Sequence, residues 1–555
     1  MNNLIQYLHN LLIKKNAKAI LVNSTNEYLT EFNPLDSNSR FLLTKFSGSA
    51  GEALVTLDKI YLFVDGRYHQ QADLEVDHNY IQVVKLSISE NFFSSLARII
   101  NHNDKLLLVS KKIPFSFYSK FLNISDNIEL LDSDPIIDFF KKNLPSSDHS
   151  STHYKIDKIP LTITGKSAAS KINTIQKFLQ DDSFYFISSL DDIAYITNLR
   201  GSFLEYSSSF FAKLLISKNV AILFTDYVIN NSDNNLDFNV QPLKNFQTIL
   251  QEQFKPSCKK VFINKNSINL FDFNLLQSNF KVESQDKISN LKIIKTSQEI
   301  NHLKYCFKRT DVVIKKVRDL VNSDIKISEY ELAQFIENEF KKQGAKKLSF
   351  KPIVAFGQNT SIIHYSKPSK DVYLKTGDFV LVDIGAYFDG GYSTDITRTF
   401  FRGDSPSIEQ KLLYTTVLKA FINAFYSINI KSGFKLDKIS RSVINNSKNL
   451  GLNGFNFNHG LGHGVGINVH ESPPYLSPSK LAKNNFIKPN MVFTIEPGMY
   501  KPNYGGVRLE NTVFAYISKN SALKFRSFSQ SLFEKKLICF NILSKDEKRR
   551  LKKWL

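Results

Sequence analysis

Cysteine is nearly absent from the 555 residues: Cys258, Cys306 and Cys539 are the only three, far apart and without CxxC spacing. That pattern excludes a thiolate zinc site by motif and suits a reducing compartment, so the expected location is cytoplasmic. Long apolar runs are missing too. The nearest candidate, 210–224, is broken by Lys213, Lys218 and Asn219, well short of the roughly 18 apolar residues a membrane-spanning helix needs. From Met1 to Leu12 no basic segment precedes an apolar core, as a secretory signal requires, and a strand signal begins at Ala19; an amphipathic first helix is expected instead. Acid is scarce against base, giving a net charge of +20. Such an excess can serve phosphate backbones or anionic lipid. Here the lysines are dispersed among abundant Asn, Ile and Phe, and no nucleic-acid motif occurs, so neither nucleic acid nor membrane is expected as a partner. Tryptophan occurs once, as Trp554 in the basic tail 544–555, expected to be a terminal helix docked through Leu551 and Trp554.

At this length two or three domains are expected. Residues 1–145 alternate helix and strand signals, with a helix near 3–15 and strands at Ala19–Val22, Ala53–Thr56 and Tyr61–Val64, which predicts an α/β domain. A polar linker is predicted over 143–158. A second α/β unit follows, 146–294, with a helix from Ser167 to Leu179 leading into a strand at Phe184–Ile187. The third unit, 295–555, opens with helical patterns at Ser297–Val321 and Ser328–Gln343, the latter with a capping box at Ser328 and Glu331. A further helix is predicted over 407–428.

The chemistry-bearing residues lie in this third unit. Asp383 ends the apolar run Phe379-Val380-Leu381-Val382, a buried-strand signal, and Gly385 lets the backbone turn. Asp395 opens Ile396-Thr397-Arg398-Thr399-Phe400, where apolar and polar residues alternate as in a half-buried strand. Asp389-Gly390-Gly391 between them is a hairpin signal. Glu496 follows Met491–Ile495 and precedes Pro497-Gly498, and Glu510 ends Val507-Arg508-Leu509-Glu510, so both are expected on strands. His463 falls in His459-Gly460-Leu461-Gly462-His463-Gly464-Val465-Gly466, a glycine-rich loop that lets an imidazole approach an ion closely. Four carboxylates brought together repel at a cost of kcal/mol unless they are protonated or neutralised, and cations neutralise them.

These segments resemble the catalytic domain of the proline-specific aminopeptidases and prolidases, the metal-dependent branch of the creatinase or pita-bread fold. The matching stretches are Val382–Ala386, Thr394–Thr399, His459–His463, Val469-His470-Glu471, Thr494–Gly498 and Val507–Asn511. Upstream, Phe46–Gly51, Asp65–Tyr68 and Ile193–Ser202 match segments of the family's two N-terminal domains, with Tyr195 where the family usually has Trp. The implied fold class is α/β and α+β: two creatinase-like N-terminal α/β domains followed by a pita-bread catalytic domain. One departure stands out. The family's first two aspartates are usually one residue closer than Asp383 and Asp395, and the extra residue falls in the Asp389–Gly391 turn, where a longer loop should leave the strands in register.

The resemblance implies that Asp383, Asp395, His463, Glu496 and Glu510 ligate two divalent ions, Mn²⁺ by family, with Asp383 on one, His463 and Glu496 on the other, and Asp395 and Glu510 shared. Oxygen-rich ligation with one imidazole suits such ions, and a pair of them would make hydroxide available near neutrality to attack the first peptide carbonyl. Glu496 is the candidate for proton transfer, and His364 and His470 are candidate donors to the oxyanion. Tyr500, Arg508 and Thr397 are expected behind the ligands, with Arg508 on the same strand face as Glu510, placed to fix a ligand carboxylate. Peptides with proline second are the implied substrates and a homodimer the implied assembly. The alternatives are a prolidase restricted to Xaa-Pro dipeptides and a pita-bread peptide- or nucleic-acid-binding protein without catalysis.

Overall fold

The computed structural model describes residues 2–88, 90–143, 154–230 and 236–555. Most of the expected linker, 144–153, lies outside them. One compact unit comprises 1–159 and 166–288, and a second comprises 160–165 and 289–555. Among the described residues no helix is long and apolar enough to cross a membrane.

The first unit contains two six-stranded sheets built to one plan. Strands β1 (Ala19–Val22), β2 (Glu52–Thr56), β3 (Ile60–Val64), β4 (Ile81–Lys85), β5 (Leu106–Val109) and β6 (Ile128–Leu131) lie in the order β4-β3-β2-β1-β5-β6. Strands β7 (Ser183–Ile187), β8 (Lys213–Ser217), β9 (Ala221–Phe224), β10 (Asn239–Gln241), β11 (Lys260–Ile263) and β12 (Lys281–Ser284) repeat it as β10-β9-β8-β7-β11-β12. The strand senses repeat as well: the first strand of each set is antiparallel to the second and parallel to the fifth. A helix precedes each first strand, α1 (Asn2–Lys15) and α2 (Ala168–Gln176), the latter capped by Ser167. Leu21, Leu54 and Leu108 of one sheet share a core with Phe184, Leu215 and Val261 of the other.

In the second unit, α3 (Ser297–Val321) and α4 (Glu329–Lys342) each start with a complete capping box, Thr296 with Glu299 and Ser328 with Glu331. They cover a three-stranded antiparallel sheet, β13 (Ile353–Phe356), β14 (Phe379–Ile384) and β15 (Ile396–Phe401), with β14 central. Strand alternation sorts β14: Val380, Val382 and Ile384 join the core under α3 and α4, while Leu381 packs on the other side with Ile353, Ile363 and Tyr500. Asp383 shares the parity of Leu381.

A second pair of helices, α5 (Ile408–Phe425) and α6 (Gly433–Asn446), backs a five-stranded sheet. Its strands are β16 (Gly462–Gly464), β17 (Glu471–Leu476), β18 (Val492–Ile495), β21 (Asn511–Ile517) and β22 (Leu523–Ser527), and β19 (Gly498–Lys501) with β20 (Gly505–Arg508) forms a separate hairpin. The tail helix Lys545–Leu551 docks as expected: Leu551 and Trp554 are buried, the latter against Phe421, Phe425 and Phe533.

Candidate metal centre

Asp383 pairs with Thr397 across the β14–β15 hairpin, and the register runs unbroken from Phe379 with Phe401 to Ile384 with Ile396. The turn carries Gly390 at φ +90° and Gly391 at φ +67°, left-handed backbone that suits glycine. The longer turn therefore leaves both aspartate-bearing strands paired. Asp395 stands one residue before β15, and its carbonyl accepts from Thr512 Oγ1 at 2.8 Å. The alternation expected to mark a half-buried strand has another origin, because every residue of β15 is buried. Its polar side chains turn to buried partners rather than to water: Thr397 Oγ1 donates to Glu510 Oε2 at 2.7 Å and Thr399 Oγ1 to Arg508 O at 3.0 Å.

Three placements differ from expectation. Glu496 and Glu510 sit at strand junctions, between β18 and β19 and between β20 and β21. Each ends a ladder, where the chain leaves one sheet for another. Glu510 is locked there by its amide to Thr397 O at 3.1 Å and by Arg398 Nη1 donating to its carbonyl at 2.6 Å. His463 lies in the short strand β16, at a bulge beside Gly464, rather than in a free loop. Its Nδ1 is 3.0 Å from Gly464 O, so that nitrogen carries the proton and Nε2 presents a lone pair. Nε2 faces Asp395 Oδ2 and Glu496 Oε1, each at 3.5 Å.

Ligand atoms of Asp395, His463 and Glu510 all lie within 4.8 Å of one another. Burial and the charges of Glu510, Asp383 and Glu496 push Asp395 well above the usual carboxyl range. Burial, then Glu496 and Asp383, does the same to Glu510. Glu496 is pushed up to about 7, chiefly by burial, with Asp383 adding to it and Arg508 and His470 opposing. All three acids thus feel Asp383, whose own Oδ1 is buried with no hydrogen-bond partner. An orphaned carboxylate oxygen, a lone pair on Nε2 and three acids crowded above their usual range form a donor set that fits divalent cations.

Arg508 ties the surroundings together. Nη2 donates to Asp383 Oδ2 at 2.8 Å, Nε to Thr397 Oγ1 at 3.2 Å, and Nη1 to Tyr500 OH at 3.0 Å and Ile363 O at 3.2 Å. The carboxylate it fixes is that of Asp383. His470 stacks edge-on to His463 with ring centroids 4.6 Å apart. His364 is half-buried and follows Ile363, whose carbonyl Arg508 binds. Two residues escaped the sequence reading. Thr494 Oγ1 accepts from the His463 amide at 3.1 Å and donates to Glu496 Oε1 at 3.3 Å; its place two residues before Glu496, on the same strand face, was the available signal. His459 Nε2 lies 2.8 Å from Tyr500 OH, and its Nδ1 is 3.9 Å from Glu496 Oε2.

Three family models account for most of the chain: two creatinase/prolidase N-terminal domains over residues 5–140 and 148–299, and metallopeptidase family M24 over 301–515. The last of these contains every residue of the cluster. Residues 301–515 thus match metallopeptidase family M24, and the two stretches before them match creatinase/prolidase N-terminal domains. The M24 region is the pita-bread domain, and the two repeated sheets are the creatinase-like domains. A probable Xaa-Pro aminopeptidase P of Sordaria macrospora is 28% identical over 98% of this chain and 93% of its own length. An X-prolyl aminopeptidase from Caenorhabditis elegans, described as a cytosolic enzyme with a di-nuclear active site, has the same fold, with a TM-score of 0.86 over 99% of this chain and 95% of that one at 22% identity. A prolidase from Pyrococcus horikoshii, 25% identical, reaches a TM-score of 0.54 and covers 67% of this chain while 99% of its own length is matched.

Proposed function

We propose that the protein is a metal-dependent aminopeptidase that hydrolyses the N-terminal Xaa-Pro bond of peptides. The observation that carries the reading is the convergence of Asp395, His463, Glu496 and Glu510 around His463 Nε2, with Asp383 held beside them by Arg508. Likeness along almost the whole chain to aminopeptidases favours that activity over a shorter prolidase's.

In this reading Asp383, Asp395, His463, Glu496 and Glu510 would together hold two divalent ions, Mn²⁺ by the oxygen-rich donor set. Bound, such ions supply Lewis-acid chemistry and acidify water toward neutrality. The chain's residues do the rest. Arg508 and Thr397 orient the carboxylates of Asp383 and Glu510. Glu496, half-buried with its Oε1 3.5 Å from His463 Nε2, takes and returns the proton. His364 and His470 donate to the carbonyl oxygen as negative charge develops there, and the substrate's ammonium meets the acidic end of the site. The same reading takes the chain as three domains, 1–145, 146–294 and 295–555, acting as a cytoplasmic homodimer.

Hydrolysis of Xaa-Pro-Yaa, Xaa-Ala-Yaa and Xaa-Pro with Mn²⁺ supplied tests this directly. Cleavage confined to Xaa-Pro-Yaa, and lost in His463→Ala and Glu496→Gln, is expected. Cleavage of the dipeptide alone makes the protein a prolidase, and no cleavage together with no retained metal makes it a non-catalytic binding protein.

A further inference from the structure

Residues 357–369 carry His364, yet their only regular structure is the single 3₁₀ turn Gly357–Ser361. Backbone that irregular beside a site must be held from outside, since a 1 Å misplacement of a reacting group can cost roughly 100-fold in rate.

Glu329 holds it at both ends. The residue is fully buried in the first turn of α4, where the helix dipole favours a carboxylate. Its Oε1 accepts from the Phe356 amide at 2.8 Å and from Asn359 Nδ2 at 3.0 Å. Its Oε2 accepts from Tyr365 OH at 2.7 Å and from the Ser369 amide at 3.0 Å. The Phe356 amide just before the segment and three donors within it thus converge on one side chain, and Asn359 Nδ2 adds a contact to Tyr365 OH at 3.2 Å.

The other side of the segment is tied to the site. Arg508 Nη1 donates to Ile363 O, and the same guanidinium binds Asp383. His364 therefore stands between a neighbour anchored to the acid cluster and a neighbour anchored to Glu329. We propose that Glu329, acting through the Tyr365 hydroxyl, is a positioning residue that sets the His364 ring against the substrate carbonyl. This rests on the role given to His364 above.

A buried acid of this kind could equally stabilise the fold without touching the reaction, so the test is a double-mutant cycle on the full Mn²⁺-loaded chain with Xaa-Pro-Yaa as substrate. Tyr365→Phe removes one hydroxyl, and Glu329→Gln keeps the shape. Each is expected to lower kcat by about 10- to 100-fold with KM nearly unchanged and metal content intact. In a His364→Ala background, Tyr365→Phe is expected to cost less than about twofold more. Equal losses in both backgrounds, or an unchanged kcat in Tyr365→Phe, overturn the proposal. If Glu329→Gln fails to fold, Tyr365→Phe alone decides. A fully active His364→Ala in an otherwise active enzyme removes the role assigned to His364 and this inference with it, whereas independent losses in the two backgrounds remove this inference only.

Discussion

Arg508 makes four contacts from three nitrogens, to Asp383, Thr397, Tyr500 and Ile363. A lysine offers one point charge and cannot span that fork. Losing a group that orients a ligand carboxylate typically weakens metal binding by about 10- to 100-fold. Arg508→Lys is expected to release Mn²⁺ at correspondingly lower chelator concentration, and unchanged retention would deny it the orienting role. The acids themselves give a pH signature. Burial and mutual repulsion raise Asp395, Glu496 and Glu510 above the ordinary carboxyl value, so the folded chain holds protons that the unfolded chain has released. Between about pH 4.3, the ordinary glutamate value, and the folded value of about 7 for Glu496, rising pH therefore costs stability in the metal-free protein. A divalent cation removes that cost, and its binding competes with protons. The rise in Tm on adding Mn²⁺ to chelator-treated protein should be larger near pH 7.5 than near pH 5.5, and an equal or smaller rise at the higher pH would contradict the crowded-acid picture. At this scale the sequence pointed to Arg508 by its parity with Glu510, but it could not say which carboxylate the guanidinium would meet, because parity fixes a face and not a distance.

At the scale of elements, close backbone approach builds the site. A Cβ on Gly462 would lie 2.1 Å from Thr494 O, so alanine there must push β16 away from β18, which carry His463 and Thr494 respectively. Gly462→Ala is expected to cost about 1–3 kcal/mol of stability and to lower kcat, read by Tm and by turnover; an alanine variant with wild-type turnover would show that the approach is not needed. Elements with local signatures were legible: the Asp389–Gly391 turn, the capping box of α4, and the strands at 19–22 and 184–187. Helix α6 was not. It carries apolar spacing at Leu436, Ile439, Val443 and Ile444, but it begins at Gly433 without a side-chain cap, so no start signal set it apart from the chain around it. The junction positions of Glu496 and Glu510 were hidden for a related reason. Alternation continues smoothly through the point where hydrogen bonding passes from one sheet to the next.

At the scale of the whole molecule, the doubling of one six-strand plan in the first unit was visible only as a similar order of elements, since turns and pairing preserve a topology long after side chains diverge. The gathering of positions as distant as Asp383 and Glu510 was legible only through family resemblance, because no local rule links them. That gathering is the central claim, and metal stoichiometry tests it most directly. Elemental analysis of the full chain, loaded with Mn²⁺ and dialysed, should find two ions per chain in the natural protein and close to none in Glu510→Ala, which removes a carboxylate assigned to both. A chain that retains no ion, or a Glu510→Ala variant that still retains two, would contradict it.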